Sequence, residues 1–207
     1  MKSGYDFYKK DAAYRMMKKE LIKELGKEKI EQIWKKAGQN LNQLWMQYDD
    51  VPALQRRHTH NEIFPRIAMY RALQEKVPER AMSIMDNGVK IAGVKVGKMI
   101  GTITSLPGMS KVFIRIMRYG LKNMFGESAS FKQLIHHESK EELKFDILVC
   151  PYCKFCNLCG CPELIHNFCD SDVFCYGNLP GVYFSRTQTL GTGGTCCDFH
   201  FKVERKK

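Results

Sequence analysis

The rhythm of apolar positions along the chain changes once. Residues 5–25 carry Ala13, Met17, Leu21 and Leu25 at a spacing of four, which predicts an amphipathic helix that stops at Gly26. Residues 28–45 repeat the period through Ile30, Ile33, Trp34, Ala37 and Leu41, so the two segments are expected to form an antiparallel helical hairpin. Residues 47–60 are polar and irregular, and Pro52 marks a loop. Pro65 then suits the first turn of a helix carrying Ile67, Tyr70 and Leu73. Residues 79–105 are apolar but interrupted by Lys90, Lys95 and Lys98. A spanning helix needs about 20 largely uncharged residues, so a core helix is expected and no transmembrane segment. Gly88, Gly93, Gly97 and Gly101 allow close helix packing, within one chain or between two copies of a homo-oligomer. Pro107-Gly108 makes a turn, and residues 109–125 return to helical spacing through Val112, Phe113, Ile116, Met117, Leu121 and Met124.

After a polar stretch over residues 126–142 the period falls to two. Phe145, Ile147 and Val149 predict a strand ending at Cys150; Pro162 sits near the first turn of a short helix; Val182 and Phe184 begin a second strand. Cys197, Phe199, Phe201 and Val203 alternate with Asp198, His200 and Lys202 in a third strand, expected to pair antiparallel with the second. The pattern predicts an α+β fold, with N-terminal helical hairpins packed on a small C-terminal antiparallel sheet. Residues 1–142 are expected to be a mainly helical scaffold and residues 143–207 a Cys-rich α+β region carrying the site, within one compact domain.

Composition sharpens this division. All nine cysteines lie at or after Cys150. An odd count, in a chain of 207 residues with no N-terminal apolar segment, argues for reduced thiols and a cytoplasmic protein rather than a disulfide framework. The net charge of +11 is uneven: residues 1–140 hold 26 basic and 14 acidic side chains, residues 141–207 hold seven and eight. The lysines are dispersed without a reading motif, so nucleic acid is not expected as a partner. The basic excess is either a solvated face or an attractor for a small anionic substrate.

Three groups of residues can carry chemistry. Cys150, Cys153, Cys156, Cys159 and Cys161 form a CxxC ladder that suits zinc or an iron–sulfur cluster, or supplies thiols that are packed, redox-active or individually functional. His58 and His60 precede a helix, where they are either an exposed pair at its cap or ligands and acid–base groups. On a helix, Cys169 and Asp172 share a face, a thiol beside a carboxylate that can act as nucleophile and proton carrier, or a buried Cys with a capping Asp. Arg186, followed by Thr187 and Thr189, suits a substrate carboxylate, or pairs with Asp172 or Asp198.

The ordered set Cys150 and Tyr152; Gly160, Pro162, Glu163 and Leu164; Cys169 and Asp172; Arg186 to Thr189; then Gly194, Cys197, Asp198 and Phe199 resembles the L-2-amino-thiazoline-4-carboxylic acid hydrolase family. The resemblance spans residues 145–201. It implies hydrolytic opening of a 2-amino-thiazoline ring to an N-carbamoyl-cysteine product, on a route toward cysteine. Ring opening needs attack on the amidine-like carbon C2, a proton for the leaving group and a grip on the carboxylate. The expected catalytic residues are Cys150, Cys169, Asp172, Cys197 and Asp198. Cys169 or Cys150 attacks or activates water, and Asp172 or Asp198 moves protons. Arg186 is expected to hold the carboxylate with Thr187, Thr189, Tyr152 and His60 as further substrate contacts. The other readings are a metal- or redox-sensing protein built on the ladder, and a binding module for a small ligand without catalysis.

Overall fold

The computed structural model describes residues 3–204. The first predicted helix is two: α1 (Gly4–Lys10) and α2 (Ala12–Leu25). The break falls at Asp11, whose carboxylate accepts from the backbone N–H groups of Ala13 and Tyr14 and so caps α2. Gly26, at φ 80°, turns the chain into α3 (Lys27–Gln47). A short α4 (Ala53–His58) leads into a π-helical turn over Thr59–Ile63 and then α5 (Phe64–Lys76). Helix α5 buries Phe64, Ile67, Met69, Ala72 and Leu73, side chains pointing all round its axis, because it sits in the middle of the helical body. Trp34, Ile30, Ile33 and Leu41 of α3 pack with it in one core, each contributing roughly 1.5–3 kcal/mol by leaving water.

Helix α6 (Ala81–Thr104) runs along α9 (Ile165–Tyr176), and glycines set the distance. A Cβ at Gly93 would lie 2.6 Å from Phe174 Cβ, and one at Gly97 would lie 2.8 Å from the Phe174 carbonyl oxygen. The glycine spacing therefore serves packing within the chain. Among the described residues no helix is long and apolar enough to cross a membrane.

Helix α7 (Met109–Met124) covers a four-stranded antiparallel sheet of order β1-β2-β4-β3, built from Lys132–Glu138, Glu142–Val149, Val182–Ser185 and Cys197–Val203. Phe113, Leu121, Leu143, Phe145, Ile147 and Phe201 fill a second core between α7 and the sheet. The fold is α+β as the pattern predicts. It differs in having β1 inside the stretch read as polar: this edge strand is mostly exposed and lacks a clean alternation. Residues 186–196 leave the sheet between β3 and β4 as a loop with a short 3-10 turn at Leu190–Thr192.

Candidate functional site

Strand β2 delivers its chain end into the seam between the two cores. Cys150 is the N-cap of α8 (Pro151–Leu158), and Pro151 presets the first helical turn. This strand-to-helix corner brings Cys150, Tyr152 and Cys153 to the wall of a cavity of about 330 Å³. Helix α9 adds Phe168, Cys169 and Asp172 from one face; α7 adds Met117 and Leu121; β4 adds Cys197 and Phe199, whose side chains alternate with those of Asp198 and His200. The walls are mostly aromatic and aliphatic, and the charged groups are Glu62, Arg66, Asp172 and Arg186.

Asp172 and Arg186 form the polar end. Arg186 Nη1 donates to Asp172 Oδ2 at 2.8 Å and Nη2 donates to the Cys169 carbonyl at 3.0 Å. The Arg186 side chain is 5% exposed, and its guanidinium also lies over the Phe199 ring. Desolvation by the surrounding protein pushes the Asp172 carboxyl up to about 6, against the pull of Arg186. A carboxyl facing an apolar cavity can be reached by a small molecule and still be starved of bulk water.

The thiols fall into distinct environments. Cys150 donates to Cys153, which raises the Cys150 thiol and holds the Cys153 thiol below the ordinary range. Cys153 also lies in the first turn of α8, where the helix dipole favours a thiolate. Burial raises Cys169, although the Thr189 hydroxyl touches it. Cys197 is pushed up to about 12 by burial; its sulfur accepts from the Leu190 N–H at 3.3 Å. Successive CxxC steps on a helix advance about 60° round the axis, so the ladder spirals instead of converging. Cys150 and Cys153 face the cavity, Cys156 pairs with Cys161 in the helical core, and Cys159 lies near Tyr48 and Arg71. Among the described residues no group of three or more His, Cys, Asp or Glu side chains is placed to hold a metal ion.

The predicted residues divide on placement. Cys150, Tyr152, Cys169, Asp172, Arg186 and Cys197 meet at the cavity. Asp198 stands on the opposite side of β4, where its carboxylate accepts from Thr187 N–H (2.9 Å), Thr187 Oγ1 (2.5 Å) and Gln188 N–H (2.7 Å). Thr187 is thus engaged by Asp198, and both hold the loop that carries Arg186. Thr189 is buried beside Cys169. His60 does not line the cavity; it stacks on Trp45, and its Nδ1 meets Thr59 Oγ1 at 3.0 Å.

His58 makes the closer approach. It is 5% exposed, with Nε2 2.8 Å from the Met124 carbonyl and Nδ1 3.1 Å from the Tyr152 hydroxyl. A carbonyl only accepts, so Nε2 carries the proton and neutral Nδ1 accepts from Tyr152. Desolvation lowers the His58 pKa and favours this neutral form. Glu62 and Arg66 were not legible as site residues. Glu62 lies within the π-helical turn and Arg66 one turn further on in α5, and both line the cavity.

The molecule is an α+β protein whose seam encloses an apolar cavity ending in carboxyl, guanidinium and thiol groups. A family model described as L-2-amino-thiazoline-4-carboxylic acid hydrolase matches residues 56–201, and the chain belongs to that family. The match takes in α5 and the π-helical turn as well as the Cys-rich region. No curated protein matches the chain.

Proposed function

We propose that the cavity hydrolyses a small cyclic amidine carboxylate of the 2-amino-thiazoline type, releasing an N-carbamoyl-cysteine-type product. The observation that carries this reading is Asp172, a carboxyl raised to about 6 on an apolar wall beside Arg186. At neutral pH it is ionised and basic enough to take a proton from water. Water oxygen adds to C2, the C2–S bond breaks, the proton taken by Asp172 passes to the departing ring sulfur, and the second water proton passes from the C2 hydroxyl to the former ring nitrogen. Water is consumed and the balance closes without a cofactor. Arg186 is 5% exposed and turns Nη1 to Asp172 and Nη2 to the Cys169 carbonyl, so it holds Asp172 in place. Arg66 is the guanidinium with capacity to spare: Nη1 meets the Asn167 carbonyl at 3.3 Å and Nη2 lies 3.8 Å from Glu62. It takes the substrate carboxylate in this reading, and the aromatic walls take the ring.

The depressed Cys153 thiol supports a second route. Its thiolate attacks C2, the ring thiolate leaves, and water then displaces the enzyme sulfur. The unpaired thiols of the chain suit a reducing cytoplasm, and the product places the reaction in cysteine metabolism.

The test is thiol release from 2-amino-thiazoline-4-carboxylate by the purified protein, with Asp172→Asn and Cys153→Ser beside it. Ring opening that is lost in Asp172→Asn supports the first route. A covalent adduct on Cys153, seen by mass spectrometry, moves the assignment to the second. A wild-type protein that leaves the ring intact refutes both.

A further inference from the structure

A second cavity, of about 420 Å³, lies between α2, α6 and α9, and it shares Glu62, Arg66, Ser171, Asp172 and Tyr176 with the first. Of the two carboxylates at this junction, Asp172 has one oxygen, Oδ2, tied to Arg186. Glu62 is held only by a loose ion pair with Arg66. Its side chain is 54% exposed, its charged neighbour Arg66 stands 3.8 Å away, and no protein hydrogen bond to its carboxylate is present among the described residues. The surrounding protein nevertheless raises its pKa, desolvation outweighing the opposing pull of Arg66. Glu62 and Arg66 therefore present an acceptor and a donor fork one helical turn apart, each short of a partner.

A 2-amino-thiazoline carboxylate has the matching pair of charges. Its ring is a cyclic isothiourea, a base that carries a proton near neutral pH, and its other end is a carboxylate. We propose that Glu62 receives the protonated amidine of the ligand, so that the site selects zwitterionic cyclic amidine and guanidine acids over their neutral carbonyl counterparts. A planar N–C–N cation offers two parallel N–H donors to one carboxylate, the geometry that makes such pairs both strong and directional. Protonation also makes C2 more open to attack, so the residue that binds the cation favours the reactive form. The assignment deepens the cyclic-amidine reading and rests on it for the class of ligand.

Binding separates the two. The probes are 2-iminoimidazolidine-4-carboxylate, a cyclic guanidine acid, and 2-oxoimidazolidine-4-carboxylate, its neutral urea counterpart. Neither has a C–S bond, so calorimetry reads affinity without ring opening. The wild-type protein is expected to prefer the guanidine acid by about 10- to 100-fold. Glu62→Gln is expected to remove that preference while still binding the urea acid. Equal affinity of the wild type for both probes overturns the proposal, as does a preference that survives in Glu62→Gln or disappears only in Asp172→Asn. Thiazoline turnover with no guanidine preference defeats this assignment and leaves the hydrolase reading standing. A guanidine preference without turnover does the reverse.

Discussion

Arg186 grips Asp172 at 2.8 Å, and yet the Asp172 carboxyl stands about 6, above its ordinary range. An arginine alone would lower it; enclosure by α9, the aromatic wall and the loop raises it more. The ring-opening rate is expected to climb through about pH 6 as Asp172 ionises. Asp172→Asn is expected to lower kcat about 10²- to 10⁴-fold and to flatten that limb. A pH–rate profile of both proteins checks it. Stability carries the opposite sign. The folded state holds this proton more tightly than the unfolded chain, whose carboxyl titrates near the ordinary 3.8. Its contribution is therefore full below about pH 4 and lost as pH rises toward 6, a slope that urea denaturation should find missing in Asp172→Asn.

Asp198 should behave as a structural carboxylate. Burial opposes its ionisation, but the hydrogen bonds from Thr187 and Gln188 outweigh it and hold its carboxyl below the usual range. Asp198→Ala leaves the two N–H groups without their acceptor and frees the loop carrying Arg186. A loss of about 1–3 kcal/mol in stability is expected from denaturant unfolding. The reaction should weaken with it, while the pH position of the surviving activity stays with Asp172.

The His58–Tyr152 pair predicts a difference between its members. Tyr152→Phe keeps the ring in the wall and leaves His58 Nδ1 without its donor. His58→Ala also opens a void among Phe125, Phe131 and Tyr152 and orphans the Met124 carbonyl. His58→Ala is expected to cost about 2–4 kcal/mol and Tyr152→Phe about 1 kcal/mol, by calorimetric or denaturant unfolding. Because the folded pKa of His58 is lowered, its contribution is held above the unfolded pKa near 6.5 and falls away as the solution becomes more acidic.

Two glycines test how the site is spaced. A Cβ at Gly191 would lie 2.8 Å from Cys169 Sγ and 2.7 Å from Ile165 Cγ2. Gly191→Ala is expected to destabilise by about 1–3 kcal/mol and to displace Cys169, read as a changed alkylation rate at that thiol. Gly97→Ala presses on backbone oxygens of α9, which cannot rotate aside, so a comparable loss of stability is expected with α9 pushed off α6.

Part of the cavity lining could be read from spacing, because local period reports which side of an element is apolar. The i,i+3 step put Cys169 and Asp172 on one face of a helix, and the alternation of β4 separated Cys197 and Phe199 from Asp198. The same local information left open which elements face each other. It drew attention to His60, although His58 is the ring that meets Tyr152. It could not show that Asp198 holds Thr187 and Gln188.

The sequence by itself determined the α+β class, the helical and strand periods, the family and the concentration of thiols after Cys150. These follow from periodicity and composition, which are written in neighbouring residues. Only the tertiary structure decided that the CxxC ladder spirals apart, that Arg186 binds Asp172, and that Glu62 and Arg66 reach the cavity. The physical reason is that each depends on the packing of distant elements. Cys150 packs against the sheet core, while Cys153, Cys156, Cys159 and Cys161 lie in or against the helical core. The chain doubles back to set Arg186 against α9, and the cavity that Glu62 and Arg66 line takes its other walls from distant elements.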